Sequence, residues 1–246
     1  MIKVAIANAG FGEELMSQLT VVRHGQASFH GADYDELSEV GRQQGYALGA
    51  WWAKLGLQWD HIYVGPRKRH HQTAQAMAQA YADAGVALPN FEPIAELDEH
   101  QAPEVVKQIM AGETGGDNLL PKNVGGPQAI RQYFEHFQTI TRRWIRGEHD
   151  DLGFESWSAF KARVQQGIDK LTALGNGKTV AAFTSGGPVA VSAGIALGLS
   201  DERILELSWN IRNAAFNEFL FSDKGFSPVS VNALPHLDHK KLHTLV

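Results

Sequence analysis

Apolar residues in this chain recur in two rhythms, and the switches between them predict its elements. Compact apolar or β-branched runs occur at Leu19-Thr20-Val21-Val22, His61-Ile62-Tyr63-Val64 and Thr179-Val180-Ala181-Ala182-Phe183-Thr184. Runs of this length and composition predict buried strands. Elsewhere the spacing lengthens to three and four residues. Val40, Ala47, Leu48, Trp51, Trp52 and Leu55 predict a helix over about 39–55, and Ala74, Met77, Ala78 and Tyr81 one over about 68–84. Trp157, Phe160, Val164, Ile168 and Leu171 make one stripe of a helix over about 156–174. A small-residue helix is expected over about 187–198, with further strands near 91–97, 214–222 and 227–232. Such alternation predicts an α/β fold, a mostly parallel sheet with helices on both faces.

From about 100 to 154 the rhythm breaks. Gly112, Gly115-Gly116, Pro121 and Gly125-Gly126-Pro127 mark loops. One amphipathic helix stands among them, with Ile130, Phe134, Phe137, Thr141 and Trp144 as its expected buried side. The stretch is short for a core of its own, which predicts a small helical cap insert over the site. Residues 1–16 precede the pattern and are expected to form a mobile N-terminal extension, leaving 17–246 as one domain. Gly10-Phe11-Gly12 is half of a dinucleotide fingerprint, but Leu15 replaces its third glycine and the next strand begins too soon for a crossover helix.

Composition narrows the function classes. The 246 residues are 43% hydrophobic, enough for one large core or a core with a modest cap. A net charge of −5 makes no electrostatic case for nucleic acid or an anionic membrane. The absence of cysteine removes disulfides, zinc–thiolate sites and a cysteine nucleophile. No apolar run is long enough to cross a bilayer, and Ile2–Ala7 is short for a signal sequence. A cytoplasmic location is expected.

The strand at 19–22 stops abruptly in Arg23-His24-Gly25. Glycine permits a tight turn there, at the strand edge where open α/β sheets bind ligands. Arginine suits an anion gripped by two parallel hydrogen bonds, and histidine can act as base, acid or nucleophile. Three more patterns follow: Leu37-Ser38-x-x-Gly41-x-x-Gln44, Pro66-x-x-Arg69-x-x-Gln72-Thr73-Ala74 and Leu97-x-Glu99. Further on stand Glu155-Ser156 ahead of Phe160-x-x-Arg163-Val164, and the strand–turn Phe183-Thr184-Ser185-Gly186-Gly187. In this order the set resembles the histidine phosphatase superfamily, also called phosphoglycerate mutase-like, from about residue 17 to about 222.

The resemblance implies roles. His24 would be the nucleophile, becoming a phosphohistidine, and Arg23 would grip the phosphoryl oxygens. Arg69 matches the family's second arginine at the head of a helix, whereas Arg67 and Lys68 read as solvated charges. Glu99 matches the acid that protonates the leaving oxygen, preferred over Glu96 on the spacing from Leu97. The substrate would be a phosphorylated small molecule or a phosphoprotein, with no metal and no organic cofactor.

Ser185 departs from the pattern, because most members carry a second histidine there. A serine hydroxyl donates one hydrogen bond without charge, and losing a charged donor slows such reactions about a hundred- to a thousandfold. The amides of Gly186 and Gly187 at the next helix N-terminus are candidates to compensate. His70, His71, His100 and His236 are spare imidazoles, with His70 and His71 expected at the surface. Ser185→His is expected to raise turnover. Ser185 also lacks the Gly-x-Ser-x-Gly elbow of serine hydrolases. A non-catalytic phosphate-binding or regulatory protein is the alternative, and a phosphoglycerate mutase proper is disfavoured by Ser185 and the cap. Arg142, Arg143 and Arg146 read as a solvated face, the alternative being recognition of a second anion. His236, His239 and His243 would share one helical face if Pro235 began a helix, but a metal set is not complete there. Oligomeric state is open.

Overall fold

The computed structural model describes residues 16–28, 35–114, 127–223 and 225–245. The expected N-terminal extension lies outside these apart from Met16, as do the loop glycines between 115 and 126. Among the described residues, the strands are β1 (Ser17–Arg23), β2 (His61–Val64), β3 (Phe91–Pro93), β4 (Thr179–Thr184), β5 (Phe216–Ser222) and β6 (Gly225–Ala233). The helices are α1 (Glu39–Lys54), α2 (Lys68–Asp83), α3 (Ala102–Thr114), α4 (Pro127–Trp144), α5 (Trp157–Thr172), α6 (Gly186–Leu197) and α7 (Asp201–Ser208).

The strands form one sheet in the order β3-β2-β4-β1-β5-β6. β3, β2, β4 and β1 are parallel neighbours, and β5 runs antiparallel to both β1 and β6. This is the mostly parallel α/β sheet that the alternating pattern predicts. Alternate strand residues face opposite layers. Val22, Ile62, Val64, Ala181, Phe183 and Phe216 pack in one cluster with Leu48 and Trp52 of α1 and Ala74, Met77 and Tyr81 of α2. The β1–α1–β2 and β2–α2–β3 crossovers step toward one edge, whereas the return from β3 to β4 steps back. Right-handed crossovers therefore put α1 and α2 on one face and the 164–172 part of α5 on the other. There Val164, Ile168 and Leu171 are buried. β1 leads through α1 to one edge, and β4 leads through α6 toward the other. A crevice consequently opens at the carboxyl ends of β1 and β4.

Several boundaries differ from expectation. The strand expected over 91–97 stops at Pro93; the Ile94 N–H still donates to the Val64 carbonyl of β2 at 3.0 Å, and Ala95–Leu97 then form a 3₁₀ turn. Gly112 lies inside α3 rather than in a loop. α7, eight residues long, was not expected; Ser200 caps it by accepting the Arg203 N–H. No helix begins at Pro235, and only Lys240–Leu242 make a single 3₁₀ turn, so His236, His239 and His243 do not share a helical face.

Residues His100–Arg163 form a compact unit of their own, reaching past the expected insert of 100–154 into the first turns of α5. Trp144, Trp157 and Phe160 pack edge-on or tilted against one another at 5.4 and 5.7 Å, with His100 against Phe160 at 5.3 Å. Thr141 and Trp144 of α4 are buried as expected, and Phe137 is half-buried. The side chains of Ile130 and Phe134 lie outside the described residues. Arg163 forks onto Glu155 with two bonds of 2.7 Å.

Candidate active site

β1 ends at Arg23 and delivers His24 and Gly25 to the crevice. The His24 N–H donates to the Thr184 carbonyl of β4 at 2.8 Å. Its carbonyl accepts from Ala214 N–H at 3.1 Å and from Asn213 Nδ2 at 3.4 Å. Ala214 adopts a left-handed backbone (φ 55°) to make that contact, a conformation that costs a non-glycine residue about 1 kcal/mol or more. The Gly25 N–H donates to Thr73 Oγ1 at 3.0 Å. A Cβ at Gly25 would strike the Gly41 carbonyl, and one at Gly41 would strike the Gln26 backbone, so the turn and α1 meet glycine to glycine.

The remaining motif residues clamp this turn. Ser38 caps α1 by accepting the Gly41 N–H at 3.1 Å, while its hydroxyl donates to Gln26 Oε1 at 3.0 Å. Gln44 Oε1 accepts the Gln26 N–H at 2.8 Å. Gln72 Oε1 accepts the Leu37 N–H at 2.7 Å. Ala74 is part of the core under the sheet.

His24 is only 5% exposed. Its Nδ1 lies 2.7 Å from the Gly25 carbonyl. A carbonyl can only accept, so Nδ1 carries the hydrogen and Nε2 presents a lone pair. Burial, helped by the charges of Arg23 and Arg69 and by His70, holds this imidazole well below its ordinary pKa of 6.5, against the upward pull of the Gly25 carbonyl. His24 is therefore neutral at physiological pH.

Arg23 donates through Nη1 to the Ile211 carbonyl, and Gly186 lies beside it, since a Cβ there would sit 3.5 Å from Arg23 Nε. Arg69, in the first turn of α2, is 6% exposed and pairs with Asp35 at 3.3 Å. Asp35 also accepts the Lys68 N–H at 2.9 Å, which caps the amino end of α2. Arg67 pairs with Asp98 at 2.6 Å, and Lys68 is exposed. Glu99 Oε2 accepts the Gly187 N–H at 3.3 Å, at the amino end of α6. Glu96 instead pairs with Lys170 of α5.

Ser185 stands at the N-cap of α6, fully buried. The surface position expected for His70 is incorrect. This residue is fully buried, and its Nε2 lies 2.7 Å from Ser185 Oγ. Its ring centroid is 5.9 Å from that of His24. Burial, with Arg69 and Arg67 nearby, keeps it well below the ordinary imidazole pKa. The signal for its burial was present in the sequence, because residue 70 extends the 74, 77 and 81 stripe one turn back. His71 is exposed, and His236 is buried against Trp51 and Phe216. Arg143 and Arg146 pair with Glu148 at 2.8 and 3.5 Å.

The structure thus gathers Arg23, His24, Arg69, Glu99, Ser185 and Gly186 around one strand-end crevice, and adds His70. A part-buried guanidinium, Arg23, a buried one, Arg69, and the amino end of α6 give the crevice positive character beside the neutral His24 imidazole. Among the described residues, no group of three or more His, Asp or Glu is placed to hold a metal ion, and no helix is long and apolar enough to cross a membrane.

The profile of the histidine phosphatase superfamily (branch 1) matches residues 19–102 and 126–234. No curated protein sequence matches the chain. Similar solved structures include phosphoglycerate mutase from Bacillus anthracis str. Sterne, 17% identical with a TM-score of 0.59, covering 91% of this chain and 96% of that one. Phosphoserine phosphatase from Entamoeba histolytica, in complex with 3-phosphoglyceric acid, is 20% identical with a TM-score of 0.58, covering 90% and 100%. The alpha-ribazole phosphatase from Shigella flexneri is 15% identical with a TM-score of 0.57, covering 88% and 96%. At these identities the likeness is one of fold.

Proposed function

Because the chain belongs to the histidine phosphatase superfamily, we propose that it hydrolyses a phosphomonoester, on a small molecule or a protein, through a phosphohistidine at His24. The observation that carries this reading is the His24 ring itself, neutral and with its Nε2 lone pair unprotonated beside Arg23 and Arg69.

In the first step Nε2 attacks phosphorus in line, the N–P bond forms, and the ester P–O bond breaks. Protonated Glu99 gives its hydrogen to the departing oxygen. Arg23, Arg69, Ser185 and the Gly186 amide receive the charge that spreads over the equatorial oxygens. In the second step Glu99 takes a proton from water as its oxygen attacks phosphorus. The N–P bond then breaks, which returns neutral His24 and inorganic phosphate. Neither step uses a metal or an organic cofactor.

Ser185 favours a second reading, because a neutral hydroxyl is a weaker phosphoryl donor than an imidazolium. A protein that keeps Arg23 and Arg69 yet turns nothing over would bind phosphate and be stabilised by it. Hydrolysis of p-nitrophenyl phosphate by the parent and His24→Ala proteins across pH separates the two. Activity abolished with His24 supports the enzyme, whereas an inactive parent that phosphate stabilises supports the binding protein.

A further inference from the structure

A serine at a helix N-cap ordinarily accepts an N–H of the first turn. Ser185 does not: its side chain makes no capping hydrogen bond, and its hydroxyl turns instead to Nε2 of His70 at 2.7 Å. Both residues are fully buried, so the pair forgoes a cap to hold two polar groups together beneath the crevice. The His70 ring is tilted 34° to that of His24. Its other nitrogen faces Gly65, where a Cβ would lie 2.5 Å from Nδ1, so glycine makes the room this imidazole occupies.

We propose that His70 is a positioning residue of the phosphoryl site, acting through Ser185 so that imidazole and hydroxyl together replace a histidine at position 185. This rests on the phosphatase reading of the site. A neutral imidazole has one N–H. Nδ1 of His70 is buried without a hydrogen-bond partner, and a buried bare lone pair is less costly than a buried unpaired N–H. The hydrogen therefore sits on Nε2: His70 donates to Ser185 Oγ, and the serine keeps its own hydrogen for a phosphoryl oxygen. Receiving a hydrogen bond polarises the hydroxyl and strengthens the bond it donates. Without His70, the hydroxyl loses its buried partner and becomes free to turn toward the backbone as an ordinary cap. The imidazole therefore reaches the site from the first turn of α2 instead of from the turn after β4. It also fills the space that a histidine side chain at position 185 would need, so Ser185→His alone has no room to raise turnover.

The test compares the parent protein with His70→Ala, His70→Gln, Ser185→His and the double variant His70→Ala/Ser185→His. Turnover of p-nitrophenyl phosphate and calorimetric binding of inorganic phosphate are both measured, with folding checked by circular dichroism. His70→Ala is expected to lower kcat about a hundredfold. His70→Gln, whose amide N–H also donates, is expected to retain most of the activity. Ser185→His should gain nothing, and the double variant should recover at least about tenfold over His70→Ala. A folded His70→Ala protein as active as the parent, or a folded double variant no better than His70→Ala, would overturn the assignment. If the parent turns nothing over, the phosphatase reading fails while phosphate affinity still decides this one. Weakening in His70→Ala with recovery in the double variant supports it, and unchanged affinity overturns it.

Discussion

Thr73 holds Gly25: its hydroxyl oxygen accepts the Gly25 N–H at 3.0 Å while its hydrogen goes to the Arg69 carbonyl at 2.7 Å. One side chain thereby ties the turn that carries His24 to the helix turn that carries Arg69. Thr73→Val keeps the shape and deletes both bonds in a fully buried place. The expected cost is about 1–3 kcal/mol in urea unfolding. Under the proposed mechanism, a shift of His24 relative to Arg69 should lower kcat at least about tenfold. An unchanged kcat would show that the turn needs no such tie.

The two arginines of the Arg67-Lys68-Arg69 run should separate in kinetics. Arg69 is buried at the site, whereas Arg67 is part-exposed and engaged with Asp98. Arg69→Ala is expected to raise KM and lower kcat together, with kcat/KM down about a hundredfold. Arg67→Ala should change either by less than about threefold, as an exposed ion pair contributes little. Equal losses would show that the site extends to Arg67.

Acid should spare the His24 ring longer than an ordinary histidine. His24 is held well below 6.5 by burial first and by Arg23, Arg69 and His70 next. Its Nε2 lone pair consequently survives as the pH falls through 6.5. The acid limb of kcat/KM, which reports the free protein, is expected below that value. A limb centred at 6.5 or above would place the essential group elsewhere.

The same neutrality has a stability consequence at His236. Burial, with the charge of His243, lowers its pKa to about 4, and neither ring nitrogen has a hydrogen-bond partner. The unfolded chain takes up this proton near pH 6.5, and the folded chain does not until about 4. Stability is thus lost as pH falls through that window, on the order of 3 kcal/mol from this residue by pH 4. His236→Phe, which keeps the ring contacts to Trp51 and Phe216, should flatten the decline between pH 6.5 and 4. Parallel curves for parent and variant would refute the assignment.

Most of the sheet was legible because its strands are short apolar runs closed by glycine or proline. Arg23 and His24 stand out in the sequence at the end of an apolar strand, whereas Arg69 and Glu99 are picked out by the motifs that resemble the histidine phosphatase superfamily. What the pattern hid was burial. His70 lies in a run of charged and polar residues, and polarity alone put it at the surface. Its phase with Ala74, Met77 and Tyr81 pointed inward. α3 was obscured by Gly112, since glycine lowers helix propensity without forbidding a helix whose Val105 and Val106 are buried. The tight glycine pair at 25 and 41 was not readable either, because it joins elements through a close approach that only coordinates show.

The turn around His24 also sets when activity can arise as the chain folds. Its bonds run from residue 24 to 184 and 214, and from 25 to 73. Asn213 beside it is held by Thr244, which Gln44 holds in turn. These are contacts of very long loop closure, whose entropy must be met before they reward the chain. Helices α1 and α2 need no such closure to begin forming. Helical circular dichroism should therefore return ahead of turnover on refolding, and catalysis becomes the reporter of the last contacts to lock.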